Sequence, residues 1–235
     1  HMTNDIATRR DKEMITVVVK AQKGKDYEPV TEEDKLRFKE ATEFLQRNWN
    51  LFLEKNLIPI EQIKEFERAT KISNYGLNRW YEYYTERQLL LMATLLRIIL
   101  EVSSEIGDSE YAKSIATYLA FMLCKPVDFN SIGTTWTVQA SKIAHTLSFR
   151  SPRIIYNFAE TNPFEKTSGS LHSMLHDVVD AVKFACNNRS SSRILLSSAI
   201  SAGNTAKFDV ILTDPPYLED VAYACLLYTS DAADE

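Results

Sequence analysis

One stretch constrains the fold of this chain more than any other: Thr85 to Glu105. Thr85 and Gln88 stand three apart, the spacing at which two polar side chains cap each other's backbone N–H at a helix start. Behind them come Leu89, Leu90, Met92, Ala93, Leu95, Leu96, Ile98, Ile99 and Leu100, which go nearly all the way round a helix. Such a helix is expected to be buried, so the rest of the chain has to supply its cover. With 235 residues, 45% of them hydrophobic, one large domain or two small ones with a real core are within reach. The apolar run from Leu89 to Leu100 is interrupted by Thr94 and Arg97 and is too short to span a bilayer. No secretory signal pattern is visible.

Further helices are predicted around it. Thr31 is placed to cap a helix running to Asn56, with acidic residues in its first turn and Ala41, Phe44, Leu45, Trp49, Phe52 and Leu53 on one face. Pro59 breaks the chain, and Glu61 to Ala69 reads as a second short helix. Asp108 or Ser109 caps a helix to about Cys124 that Pro126 ends. Thr137 to Leu147 reads as helical. Ser151-Pro152 is a cap and first-turn signature for a helix to about Glu160. Ser170 starts a long helix to about Asn187, with Leu171, Leu175, Val178, Val179, Val182 and Phe184 in its apolar positions.

Strand signals lie at the two ends. Met14 to Val19 is a short β-branched run, and residues 20 to 30 are a polar loop. Near the other end, Arg193 to Ile200 reads as a strand and Gly203 to Lys207 as a turn. Phe208 to Thr213 follows as a strand of the kind buried on both faces. The fold class is therefore α/β: residues 1–30 hold a short strand and loop, 31–190 a mainly helical region, and 191–224 part of an α/β core. The remaining residues, 225–235, look foreign. Cys225 to Glu235 reads as the translation of an adapter used in transposase-based sequencing libraries, as His1-Met2 reads as a tag-cleavage remnant. Natural sequence is thus expected to stop near Ala224.

Charge and cysteine usage narrow the function classes. The net charge is −5 and no basic tail is present, which argues against this segment being the main DNA-gripping surface. The cysteines are Cys124, Cys186 and Cys225. They are odd in number and far apart, so a zinc site built by this chain alone is not expected. They read as reduced, mostly buried thiols of a cytoplasmic protein. His172 and His176 are four apart on a predicted helix but lack an evident third ligand.

The motif that carries chemistry is Asp214-Pro215-Pro216-Tyr217, at the carboxyl end of the Phe208–Thr213 run. In open α/β sheets ligands bind at that edge. An exocyclic amine of adenine or cytosine is a poor nucleophile, because its lone pair is delocalised into the ring. Acceptors beside the NH2 hold its hydrogens and favour a more pyramidal nitrogen. The Asp214 carboxylate and the Pro215 carbonyl are suitable acceptors. Pro215 and Pro216 stiffen the loop, and Tyr217 offers an aromatic face to a base taken out of the stack. By average residue usage the tetrapeptide arises by chance in about one chain in a thousand of this length. The alternative is a rigid strand-exit turn with a solvated aspartate.

The tetrapeptide resembles the catalytic signature of the N6-adenine and N4-cytosine DNA methyltransferases. The wider text resembles the large adenine-specific DNA methylases that carry a zinc ribbon, in three segments: Asn74 to Leu96, Phe158 to Gly169 and Lys207 to Ala224. The similarity covers roughly Thr31 to Ala224. It implies an incomplete Rossmann-like methyltransferase sheet after the helical region, S-adenosyl-L-methionine as cofactor, DNA as partner, and Asp214, Pro215, Pro216 and Tyr217 as catalytic residues. The target amine it implies is adenine N6, with cytosine N4 still open. One element of the pattern is missing. Glycines occur at 24, 76, 107, 133, 169 and 203, with no two close, so no glycine-rich loop exists for the cofactor's amino-acid end. In the subfamily that loop and the zinc-ribbon cysteines lie upstream, so the chain is expected to begin after both and to be inactive alone. Arg79, Trp80, Arg87 and Gln88 are candidates for nucleic-acid contact, or equally for a helix cap and a packing anchor. Asn162-Pro163-Phe164 is a candidate for the cofactor or base pocket, or a structural turn. Two other function classes stay open: a non-catalytic helical interaction module with a degenerate sheet, and methylation of RNA or of a protein amide.

Overall fold

The computed structural model describes residues 12–63, 71–107, 109–148, 152–165, 170–187, 194 and 209–214. The architecture is mixed α/β, with helices predominating and two small antiparallel sheets. The chain opens on a hairpin of β1 (Thr16–Lys20) and β2 (Lys25–Pro29), in register from Thr16 opposite Pro29 to Lys20 opposite Lys25. Residues 20–30 are thus a turn and a strand rather than a loop. Every residue of β2 is exposed, so no apolar alternation marks it in the sequence. Its turn is closed by the Ala21 N–H to the Gly24 carbonyl, with Gly24 at φ 82°, a conformation glycine adopts at little steric cost.

Thr31 caps α1 (Glu32–Arg47) as expected: its hydroxyl accepts the Asp34 N–H, and the Asp34 carboxylate accepts the Thr31 N–H. The Thr31 hydroxyl also donates to the Asp34 carboxylate, and this bond first, then the Thr31 N–H, hold the Asp34 carboxyl below its usual range. The expected single helix to Asn56 breaks at Asn48, whose amide donates to the Phe44 carbonyl and competes with the helical ladder. A short α2 (Trp49–Glu54) follows. It ends in a Schellman arrangement: Asn56 is left-handed at φ 53°, its N–H bonds the Leu53 carbonyl, and the Leu57 N–H bonds that of Phe52. Leu45, Phe52, Leu57 and Ile58 reach the core, whereas Phe44 stays about half exposed. Glu61–Ile63 are extended instead of helical, with Gln62 bridged to Arg79; the remainder of the predicted Glu61–Ala69 helix lies outside the described residues.

Two short 3-10 turns, Lys71–Tyr75 and Trp80–Tyr83, lead to α3 (Glu86–Ile106). Thr85 and Gln88 form the predicted reciprocal cap. The helix is buried along one side only: Leu89, Met92, Ala93, Leu95 and Ile99 are covered, and Ile98, Leu100 and Val102 are exposed. Ser109 caps α4 (Glu110–Phe129), which runs past Pro126 by three residues. Proline removes one N–H from the ladder but leaves the following turn possible, and here tertiary bonds hold that turn. The Thr146 hydroxyl donates to the Asp128 carbonyl, and the Thr161 hydroxyl to that of Phe129.

The helix expected over Thr137–Leu147 is a hairpin, β3 (Thr135–Thr137) and β4 (Lys142–Ala144), turned at Ser141 with φ 46°. Threonines flanking Trp136 favour a pleated strand. No helix forms over residues 152–160 either. That backbone is claimed by tertiary partners: the Ile155 N–H bonds the Ile132 carbonyl, and the Arg153 N–H bonds the Tyr83 hydroxyl. Ser151 lies outside the described residues. Ser170 then caps α5 (Leu171–Cys186), as predicted. Helices α1, α3, α4 and α5 pack in that order, each against the next.

Two apolar clusters meet at Tyr84. One gathers Leu45, Phe52, Leu57, Ile58, Leu89 and Ala93; the other gathers Ile63, Ile72, Leu77, Tyr83 and Ile132. Burial of the Tyr84 hydroxyl, then the neighbouring Tyr83 and Asp128, hold its pKa well above the usual value. Cys124 and Cys186 are exposed rather than buried, and Cys225 is outside the described residues. Among the described residues no helix is long and apolar enough to cross a membrane.

Candidate functional site

The segments singled out by sequence do not all come together. Asp214 is exposed, and Asp209–Thr213 before it form no strand: Val210, Ile211 and Leu212 are all solvent-facing. A strand needs a neighbour to satisfy its backbone, and among the described residues none pairs with this run. Pro215, Pro216 and Tyr217 lie outside the described residues, as do Arg193, Leu195–Ile200 and the Gly203–Lys207 turn; Ile194 is irregular and exposed.

The other two segments of the resemblance do meet. Arg87, in the first turn of α3, donates through Nε to Glu160 Oε1 at 2.6 Å, and its guanidinium lies 5.2 Å from the centre of the Phe38 ring. Thr85 Oγ1 lies 3.5 Å from the second oxygen of Glu160. The next residue, Thr161, donates its N–H to Asn130 Oδ1 at 2.9 Å. Ile132, two residues on, donates its N–H to the Tyr83 carbonyl at 3.1 Å. These contacts close a ring through the start of α3, the end of α4 and residues 159–161. Thr85, Gln88, Asn130, Ser131, Thr134 and Thr161 in it are all buried.

So dense a set of buried polar groups must satisfy itself. Thr134 accepts the Ala159 N–H and donates to the Ala159 carbonyl. The hydroxyl of Thr146 donates to the Asp128 carbonyl, so Ser131 Oγ, 2.7 Å away, must donate to Thr146 and accept the Gly133 N–H. One polarised chain thus runs from a backbone donor to a backbone acceptor. Gly133 is obligatory: a Cβ there would sit 2.0 Å from the Tyr83 hydroxyl and 2.8 Å from the Arg153 carbonyl. The amide nitrogens of Gln88 and Asn130 have no acceptor among the described residues.

Other candidates resolve into structural roles. Gln88 is the reciprocal cap, and Arg79 donates to the Ile60 carbonyl. Trp80 packs on the second apolar cluster. Asn162 Oδ1 accepts the Phe164 N–H, and the Pro163 carbonyl accepts the Leu171 N–H, so Asn162-Pro163-Phe164 is a turn that leads into α5. His172 is exposed, and His176 Nδ1 lies 3.0 Å from Asp180. Among the described residues no three His, Cys, Asp or Glu side chains gather to hold a metal. The roles of Asn130, Thr134 and Glu160 were not read from the sequence. The one signal was the crowding of small polar residues around Gly133.

The described glycines give no cradle for the amino-acid end of S-adenosylmethionine. Gly24, Gly76 and Gly107 have positive φ in isolated turns, and Gly133 is packed against Tyr83. No family model, curated protein or solved structure matches this chain.

Proposed function

We propose that the chain carries the base-binding end of a cytoplasmic DNA amino-methyltransferase that acts on adenine N6 with S-adenosylmethionine as methyl donor. The observation that carries this reading is Asp214-Pro215-Pro216-Tyr217 directly after an apolar run of strand formers. Supporting it, the Arg87–Glu160 pair joins two further segments that resemble the same family. In this reading the Asp214 carboxylate and the Pro215 carbonyl accept the hydrogens of the target amine, and Tyr217 stacks on the extruded base. The reading also requires Asp209–Thr213 to take a place in a Rossmann-like sheet. The described glycines give no cradle for the cofactor, so in this reading the chain's own part is to hold the base.

The test joins the chain to a glycine-rich strand and loop and measures methyl incorporation into DNA. Asp214→Ala is expected to lower turnover by on the order of a hundredfold or more, the usual cost of one preorganised electrostatic contact. Equal rates would leave the tetrapeptide a rigid turn. A second reading, a non-catalytic interaction module, is favoured by the exposure of Val210–Leu212 and of Leu175, Val179 and Phe184 on α5. It expects no methyl transfer from either form.

A further inference from the structure

The β1–β2 hairpin sorts its charges by face. Side chains alternate across a strand, so the register puts Thr16, Val18 and Lys20 on one face with Pro29, Tyr27 and Lys25. Asp26 and Glu28 share the other face with Val17 and Val19. Lys20 and Lys25 are direct cross-strand partners, an arrangement that repulsion makes unfavourable. Lys23 adds a third cation in the turn between them. Lys20, Lys23 and Lys25 are exposed, and none of them makes an ion pair among the described residues.

The lysine face looks onto an aromatic wall. Trp136 Nε1 donates to the Tyr27 hydroxyl at 2.7 Å, the two rings meet edge to face, and Lys25 Nζ stands 5.0 Å from the Trp136 ring centre. Trp136 in turn lines an open cleft of about 520 Å³ with Val138, Ile154, Tyr156 and Asn157. Tyr156 is 69% exposed, a large ring left in water at the cleft. Cations that relieve their mutual repulsion on an anion, beside exposed rings and a carboxamide, match a nucleotide unit: phosphate outside, base inside. A base pairs its edges and hides its faces in a duplex, so the fit is to an unpaired strand. With a net charge of −5, general attraction of a polyanion is not the cause.

We infer that the hairpin tip and the Trp136–Tyr156 cleft bind a single-stranded nucleic-acid segment, with backbone phosphate on Lys20 and Lys25 and a base against Tyr156. Only the choice of nucleic acid rests on the proposed function; the site stands on the hairpin and the cleft. The test is fluorescence anisotropy of the full chain with a labelled oligothymidylate of about 12 nucleotides, within the usual span of such sites. Lys20→Glu with Lys25→Glu is expected to weaken binding at least about tenfold and to lower the salt slope by about one. Tyr156→Ala is expected to weaken it about tenfold with the slope unchanged; circular dichroism checks that both variants fold. Equal binding of a duplex or of polyglutamate, or unchanged binding by the lysine variant, overturns the inference. Strand binding without methyl transfer would fail the catalytic reading alone. Methyl transfer without strand binding would fail this one.

Discussion

Helices α3 and α5 both announce themselves in the sequence by a polar cap and apolar residues at helical spacing, nearly all the way round in α3 and on a stripe in α5, yet they end in different surroundings. In α3 the stripe is used: Leu89, Met92, Ala93, Leu95 and Ile99 are buried against α1 and α4. In α5 only Met174 is buried, while Leu175 is 47% and Phe184 82% exposed. Periodicity says which face of a helix is apolar; it does not say that anything covers that face. The apolar run Val210–Leu212 teaches the same lesson for a strand, since its β-branched residues have no sheet among the described residues to join.

The largest expected effect breaks or confirms this contrast directly. Leu89→Ala removes a buried side chain of the first cluster and is expected to destabilise the fold by about 2–5 kcal/mol. Leu175→Ala on α5 is expected to stay within about 0.5 kcal/mol. Urea unfolding of the two variants beside wild type measures both, and equal losses would mean that α5 is covered in solution.

The caps sharpen the comparison at a smaller scale. Thr85 is buried, holds the Gln88 N–H and contacts Glu160, so Thr85→Ala is expected to cost about 1–2 kcal/mol. Ser170 makes the simpler cap of α5, accepting the Ser173 N–H at 3.2 Å. Its alanine variant is expected to cost about 0.5–1 kcal/mol. A cost at Ser170 equal to that at Thr85 would show that the ring of contacts around Glu160 adds nothing to the α3 cap.

The smallest effect is a slope. Burial raises the Tyr84 pKa above its ordinary value of about 10. Below that pH both folded and unfolded forms keep the phenol proton, so the stabilisation is fully present. Above it the unfolded chain loses the proton first, and stability falls as pH rises towards the folded value. Tyr84→Phe, having no proton to lose, is expected to flatten the fall in thermal midpoint above pH 10. An unchanged alkaline slope would place the Tyr84 hydroxyl in water.

How much was legible follows the range of the interactions concerned. The caps at Thr31, Thr85, Ser109 and Ser170 lie within three residues of the groups they satisfy, and all were readable, Ser109 as one of two candidates beside Asp108. The β3–β4 hairpin pairs locally, Thr135 with Ala144 and Thr137 with Lys142, and the threonines beside Trp136 are its one local signal; the extended run 152–160 was not readable, because its backbone bonds go to residues far away in sequence. The Tyr83 hydroxyl that holds Arg153 is 70 residues distant, and Glu160 reaches Arg87 across 73. Pro126 was read as a stop because proline weakens a helix locally; the Thr146 and Thr161 hydroxyls, donating to the Asp128 and Phe129 carbonyls, outweighed it.

The sequence by itself determined the capped starts of α1, α3 and α5 and the apolar character of their stripes, and it places Asp214 at the head of the Asp-Pro-Pro-Tyr tetrapeptide. Only the tertiary structure decided which apolar faces are covered and that Gly133 must have no side chain. It alone built a polar ring from Thr85, Asn130 and Glu160 and set Lys25 of the hairpin over Trp136. Capping and periodicity act within a turn or two of the chain. Burial and long-range hydrogen bonds exist only once distant segments have been brought together.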